Sequence, residues 1–232
     1  MKKKIFIMLL FVFLSTDGAN CVNAYMNYAP DEQINISVYE KISPAIVAIE
    51  AQVKDGVSAG TGCIVSSDGL ILTGSHVVEN FKDIEVTTHN GQTYKAKFVA
   101  QMGKNKDLAL IKITPKHPLE TVSFGDSEDV KVGQKVLSIG NPFGFSNTLT
   151  QGIISRIDYV KNRFQPDAAI NPGCSGGPLL NSTGEVIGIS QSIYNPDHNI
   201  SNIGIGFAIP SNEAVKFIAT VDKAKLIEAK RK

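Results

Sequence analysis

A hydroxyl, an imidazole and a carboxylate are together sufficient for acyl-transfer chemistry. A serine hydroxyl is a weak nucleophile until a base takes its proton, and histidine titrates in the range suited to that task. The histidine in turn needs a carboxylate on its other ring nitrogen, to fix the tautomer and stabilise the imidazolium. The 232-residue chain carries this set in the order His, Asp, Ser. His76 stands in TGSHVVEN (73–80), Asp107 opens the apolar run DLALIKI (107–113), and Ser175 sits in the glycine turn GCSGGP (173–178). A tight glycine turn can converge backbone N–H groups on the oxyanion of an attacked carbonyl. Gly173 and Ser175 are the donors expected here. Any one of these segments alone reads as an ordinary turn or strand end; it is their order on one chain that points to chemistry. Such chemistry calls for no cofactor and no metal.

Two rivals share the same stretch. Cys174 is also a nucleophile type, but adjacent residues in a tight turn point different ways, so only one of Cys174 and Ser175 can meet His76. GCSGG also fits the G-x-S-x-G elbow, which requires a following helix and the order Ser, Asp, His. Here a proline and a strand-turn-strand pattern follow, and the only downstream histidine, His198, lies in the loop YNPDHNIS.

The elements that must hold these residues are strands. Short β-branched runs recur as AIVAIEA (45–51), GCIVSS (62–67), GLILTG (69–74), IEVTT (84–88), YKAKFVA (94–100) and DLALIKI. After a proline-flanked break at Pro115 to Glu120 come QKVLSIG (134–140), LTQGIISRI (149–157), GPLLN (177–181), EVIGIS (185–190) and IGIGFAIP (203–210). Turn residues between them, such as Asn90-Gly91 and Ser182-Thr183-Gly184, complete the signature of an all-β sandwich or barrel. The break divides the strands into a first barrel at about 40–115 and a second at about 120–210. A helical pattern appears only at the end, about 211–230, with Ser211 and Asn212 as cap candidates.

Lys2 to Lys4 followed by the apolar run Ile5 to Leu14 read as a secretory signal over residues 1–24, with cleavage expected after Ala24 to leave Tyr25 first. The run is shorter than the roughly 20 residues a spanning helix needs. Cys21 raises a lipid anchor, against which Asn20 is large and polar for the preceding position. Removing the signal takes three lysines and one aspartate from 23 basic and 22 acidic residues, leaving a net charge of −1. The basic footprint of a nucleic-acid binder is absent. Cys63 and Cys174 would remain, either as free thiols or as a single bridge. Asn35, Asn181 and Asn199 match the N-x-Ser/Thr acceptor pattern, which matters only in a glycosylating host.

From about residue 38 to 219 the chain resembles the HtrA (DegP-like) branch of the trypsin-like serine proteases. The resemblance is carried by GTGCIVSSDGLILTGSHVVEN, DLALIKI, SFGDSEDVKVGQKVLSIGNPFGFSNTLTQGIISRI, DAAINPGCSGGPLLNSTGEVIGI and NIGIGFAIPSN. It implies a chymotrypsin-like double β-barrel with the site between barrels. In it His76 would be general base, Asp107 its orienting partner and Ser175 the nucleophile. By position, Ile170 with Asn202, Ile203, Gly204 and Ile205 would line an apolar pocket for small aliphatic side chains. The implied activity is a secreted or periplasmic serine endopeptidase acting on unfolded or misfolded protein; the rival is a weakly active or inactive chaperone or binding module on the same scaffold. Relatives' habits also suggest a homotrimer built through N-terminal contacts, with Tyr25, Tyr28 and Tyr39 as candidates. Four departures stand out. Roughly twenty residues follow the FAIP strand, so no PDZ domain is expected. Cys174 stands where Asn is common, Pro166 where Thr is common, and Lys106 where a small hydroxyl residue is frequent.

Overall fold

The computed structural model describes residues 28–54, 56–103, 106–193 and 204–230. The expected signal segment and its cleavage point lie outside these residues. The chain divides into two contact units, residues 1–33 and 34–232.

Helix α1 (Pro30–Ile42) begins in the first unit and continues into the second. It corrects the expectation that helix is confined to the C-terminal end. Its signals are local: Pro30 opens it, Asp31 and Glu32 suit the positive end of the helix dipole, and Lys41 suits the negative end. The Ala29 amide donates to the Glu32 carboxylate at 2.8 Å. Its apolar stripe is narrow, with Val38 and Ile42 buried and Ile34 and Tyr39 packed beside them. So narrow a stripe is easily lost among polar neighbours.

The second unit is built of antiparallel strands. β1 (Ile46–Val53), β2 (Gly56–Ser66), β3 (Leu70–Thr73), β4 (Asp83–Thr87), β5 (Thr93–Lys95), β6 (Lys97–Gln101) and β7 (Ala109–Lys112) form one sheet in the order β5-β4-β1-β2-β3-β7-β6. The run YKAKFVA is thus two strands rather than one. Ala96 alone separates β5 from β6, yet the two lie at opposite edges. A sheet whose edges are joined by one residue must curl back on itself. The Ala96 amide, bonded to the Ile84 carbonyl at 2.9 Å, marks the corner. The Asn90-Gly91 turn closes as expected, with Gly91 at φ +79° and its amide on the Thr88 carbonyl at 2.8 Å.

β8 (Lys135–Gly140), β9 (Thr148–Asp158), β10 (Arg163–Pro166), β11 (Pro178–Leu180), β12 (Val186–Ile193) and β13 (Gly206–Pro210) form a closed barrel in the order β10-β13-β12-β11-β8-β9. Pro166, lacking an N–H, ends β10 at a register shift from Gln165, a place where a missing ladder donor is tolerated. Helix α2 (Ser211–Lys230) follows β13 directly.

Alternation along the strands creates three cores. One sits within the first sheet (Ile49, Ile71, Ile111), one within the second barrel (Val136, Leu179, Ile187), and a third joins the two. On β3, Ile71 faces the first core while Leu70 and Leu72 face the joint; on β7, Ile111 faces in and Leu110 out. The joint also takes Leu137, Ile139, Leu180 and Ile189 from the second barrel and Ala214 and Phe217 from α2. Strands buried on both faces read as continuous apolar runs, which accounts for GLILTG and DLALIKI.

Leu110 is fully buried in the joint. Leu110→Ala is expected to cost about 2–5 kcal/mol of stability in urea unfolding, whereas Val132→Ala, at an exposed site, should stay within about 0.5 kcal/mol.

Candidate active site

His76 is placed by the end of β3. After Thr73 the chain turns through a single 3-10 turn, Ser75–Val77, in which the Val77 and Val78 amides bond the Gly74 and Ser75 carbonyls. Val77 is fully buried in the first core, which anchors the turn and turns His76 outward, its side chain 46% exposed. Asp107 sits just before β7 on the neighbouring strand. Its Oδ2 lies 2.5 Å from His76 Nδ1, and its Oδ1 accepts from the His76 amide at 2.8 Å and the Ser75 hydroxyl at 2.7 Å. Burial pushes the Asp107 carboxyl up, but the His76 ring, its charge, the Ser75 hydroxyl and the His76 amide together hold it below its ordinary value. An ionised carboxylate only accepts hydrogen bonds, so Nδ1 is the donor in the bond between His76 and Asp107.

Ser175 is placed by a web of bonds from both barrels. The Cys174 and Gly177 amides close the turn onto the Asn171 and Cys174 carbonyls, and Gly176 donates to Ser190 on β12 at 2.7 Å. Across the joint, the Thr61 amide on β2 donates to the Ser175 carbonyl at 2.8 Å, and its hydroxyl to the Gly173 carbonyl at 2.6 Å. That hydroxyl also accepts from the Asn141 amide at 3.0 Å and from Asn141 Nδ2 at 3.2 Å. Gly176 must be glycine twice over: its φ is +84°, and a Cβ there would lie 2.4 Å from the Thr61 carbonyl oxygen. Gly173, at φ +99°, would likewise press a Cβ to 2.3 Å from the Asn141 carbonyl oxygen.

The Pro172 carbonyl accepts from the Phe143 amide at 3.0 Å. In a trans peptide C=O and N–H point opposite ways, so this bond aims the Gly173 N–H away from Phe143. Among the described residues neither the Gly173 nor the Ser175 amide is given to a backbone carbonyl, unlike the amides of Cys174, Gly176 and Gly177 between and beyond them. The Ser175 hydroxyl donates to the Gln191 carbonyl at 3.2 Å. Gln191 lines the same open cleft as His76 and Asp107, so the residue whose carbonyl receives the Ser175 hydroxyl borders the cleft that holds the imidazole and the carboxylate.

Comparison with known proteins gives the geometry a lineage. Residues 60–189 match the trypsin-like peptidase domain. The chain is 46% identical over 175 residues, 72% of its length, to a probable periplasmic serine endoprotease DegP-like of Chlamydia muridarum, and 42% identical over 197 residues, 80% of its length, to one of Rickettsia prowazekii. It spans 34% and 38% of those two proteins. The solved structure of the HtrA-type protease AlgW with tripeptide superposes with a TM-score of 0.74 at 34% identity, covering 81% of this chain and 63% of that one. The chain belongs to the HtrA/DegP-like branch of the trypsin-like peptidases. Its fold is accordingly the chymotrypsin-like double β-barrel.

Against the usual pattern of that branch, the departures have local explanations. Cys174 is 3% exposed, and its Cα, Cβ and Sγ crowd Gly140 of β8, while the Ser175 hydroxyl turns to the Gln191 carbonyl; neighbouring side chains do diverge. Cys63 and Cys174 are both free thiols, so the bridge left open by the sequence is not formed. Burial raises both thiols above their ordinary values, which disfavours the thiolate at each. The Lys106 ammonium pairs with Glu213 of α2 rather than with Asp107. Of the expected pocket residues, Ile170 is buried against Gly206, Gly204 is exposed and Ile205 half-buried; Asn202 and Ile203 lie outside the described residues. Tyr39 packs against its own core, Tyr28 is exposed, and Tyr25 lies outside the described residues. Thr61, Asn141, Ser75 and Gln191 carry the site's geometry without having been singled out, because nothing in a Thr, Asn, Ser or Gln between strands marks a cross-barrel partner.

Thr61→Val preserves shape but leaves the buried Gly173 carbonyl and Asn141 amide without their partner. It should cost about 1–3 kcal/mol, read as a lowered urea midpoint, with Thr61→Ser retaining most of the stability. Ser75→Ala removes one bond that favours ionised Asp107. Because the native pKa is depressed, that stabilisation is present above the ordinary Asp value of about 3.9 and is lost as pH falls through the lower native value. The stability gap between wild type and Ser75→Ala should therefore be full at neutral pH and narrow in acid.

Proposed function

We propose that the chain is a serine endopeptidase that cleaves unfolded or misfolded protein through an acyl-enzyme. Ser175 is the nucleophile, His76 the general base, Asp107 the residue that orients it, and Gly173 with Ser175 the oxyanion donors. The observation that carries the reading is the 2.5 Å His76–Asp107 pair opening onto the cleft that holds Gln191, the acceptor of the Ser175 hydroxyl. When a peptide binds, that hydroxyl turns from the Gln191 carbonyl to His76 Nε2. As Oγ bonds to the carbonyl carbon, its proton passes to His76 and the carbonyl electrons move to oxygen. The oxyanion meets the Gly173 and Ser175 amides, which among the described residues are given to no backbone carbonyl. Its collapse breaks the C–N bond as His76 returns the proton to the leaving amine, and water repeats the sequence to free the acid.

Ile170 against Gly206 supports a shallow apolar pocket for a small aliphatic side chain before the cut. A signal over residues 1–24, a protease domain over 25–232 and release to the periplasm or the exterior agree with the basic-apolar leader and the periplasmic relatives. A homotrimer belongs to the same reading. Among the described residues no helix is long and apolar enough to cross a membrane.

The second reading, a binding module with an idle site, draws on one observation, the Ser175 hydroxyl held by Gln191 rather than by His76. A fluorophosphonate probe separates the two. The endopeptidase should label stoichiometrically at Ser175 and degrade unfolded casein, Ser175→Ala should do neither, and Asp107→Asn should lose on the order of 10⁴-fold in kcat. An unlabelled wild type that still suppresses aggregation would establish the binding module instead.

A further inference from the structure

Asp107 is held from the front by His76 and Ser75, and from behind by the turn that carries it. Within that turn the Lys106 amide donates to the Gly103 carbonyl and the Leu108 amide to the Lys106 carbonyl, both at 3.0 Å. The second bond closes a three-residue turn centred on Asp107. The direction in which the Asp107 side chain leaves the backbone is therefore tied to the position of Lys106.

Lys106 is in turn tied to the other barrel. Its ammonium pairs with Glu213 in the first turn of α2, a side chain only 14% exposed. The second oxygen of Glu213 accepts from Asn162 Nδ2 at 3.2 Å. The start of α2 is fixed in place. The Ser211 hydroxyl donates to the Gly125 carbonyl at 2.7 Å, Asn212 Nδ2 to Asp126 at 2.8 Å, and the Asn212 amide to the Ser127 hydroxyl at 3.1 Å. Ala214 and Phe217 are buried in the joint between barrels. Glu213 thus presents its carboxylate from an anchored helix start, and the Lys106 stem bridges to it from the first barrel. Lys106 lines the cleft of His76 and Asp107 and also the adjoining recess of Arg163, Gln191 and Glu213.

We propose that the Lys106–Glu213 pair positions Asp107 by latching its turn to the first turn of α2, so that the seating of that helix sets how well the carboxylate meets His76. This rests on the reading of Asp107 as the partner of a catalytic histidine. Lys106 and Glu213 touch no reacting atom; they are positioning residues. With Lys106 42% exposed and Glu213 only 14%, removing one partner can also lower Tm, so the exchanged pair, which restores the charges, separates an effect on turnover from one on folding.

The test compares the full chain with Lys106→Met, Glu213→Gln, Lys106→Arg and the exchanged pair Lys106→Glu with Glu213→Lys. Each is followed by peptide hydrolysis, by the rate of fluorophosphonate labelling, by Tm and by the low-field proton resonance of His76 Nδ1. The latch predicts that each neutralising variant lowers kcat roughly fivefold to tenfold, a typical coupling for residues in direct contact. KM should be unchanged, and the His76 resonance should move or broaden. Lys106→Arg should keep wild-type turnover, and the exchanged pair should recover most of it. High salt should slow wild type toward Glu213→Gln and leave that variant unaffected. Unchanged kcat and an unchanged resonance in both neutralising variants would overturn the latch. So would losses in kcat that track a fall in Tm and are not restored by the exchange. The resonance reports the His76–Asp107 bond whether or not Ser175 reacts. An unlabelled wild type whose resonance still responds to Glu213→Gln would therefore remove the peptidase reading and leave the latch standing.

Discussion

The Thr61 hydroxyl, fully buried between the barrels, is the constraint on which the site turns. It donates to Gly173 and accepts from the backbone and side chain of Asn141, while its own amide holds Ser175 and its carbonyl takes the Thr73 hydroxyl. Asn141 Nδ2 extends the seam to the Val47 carbonyl on β1. The glycine turn belongs to the second barrel and His76 to the first. Nothing along the chain sets the distance between them. A buried polar group left unpaired is expensive, and a seam in which every member is paired admits one relative placement of the barrels. The turn that carries Ser175 is thereby fixed against the first barrel by hydrogen bonds of Thr61 and Asn141.

Hydrophobic packing supplies the bulk on which that register rests. The strands bearing the site, β3 and β7, are buried on both faces, one against their own sheet and one against the second barrel. Their alternation makes the joint continuous with the two barrel interiors, so the barrels cannot part without exposing strand faces. The connecting segment is laced to both sides. Val122 donates to Ile64 of β2 at 2.9 Å, and Gly125 to Val186 of β12 at 3.0 Å. The site lies at the rim of this apolar joint, buried enough to strengthen the Asp107 bonds and open enough to leave His76 half in solvent.

The substituted positions show how local such a site is. A cysteine beside the serine, a proline in β10 and a lysine before the aspartate each look like a challenge to the chemistry. Each is absorbed by its immediate setting. Cys174 fills space against Gly140, Pro166 falls at a register shift, and Lys106 finds a carboxylate on α2. Steric room, a missing ladder donor and one charge pair are enough to accommodate them.

Much of this was legible in the chain itself. Alternating and doubly buried strands leave apolar runs punctuated by turn residues, so the all-β class, the divide near Pro115 and the C-terminal helix could be read directly. The candidate residues could be read too, because histidine at a strand end, aspartate before an apolar run and serine among glycines are local patterns. The α1 helix was missed because a narrow apolar stripe is a weak period, and YKAKFVA was read as one strand because a corner at Ala96 leaves no mark in composition. Thr61, Asn141 and Gln191 are of another kind. Their roles are hydrogen bonds across 112, 80 and 16 residues of chain, and partners so distant leave no local signature. The unbridged state of Cys63 and Cys174 was likewise decided by where two buried side chains came to lie. What the sequence by itself determined was which local conformations and which chemical groups this protein would have. Which of those groups face one another was decided only by the tertiary structure, because that depends on how two barrels meet, and their meeting is set by packing and hydrogen bonding summed over the whole joint.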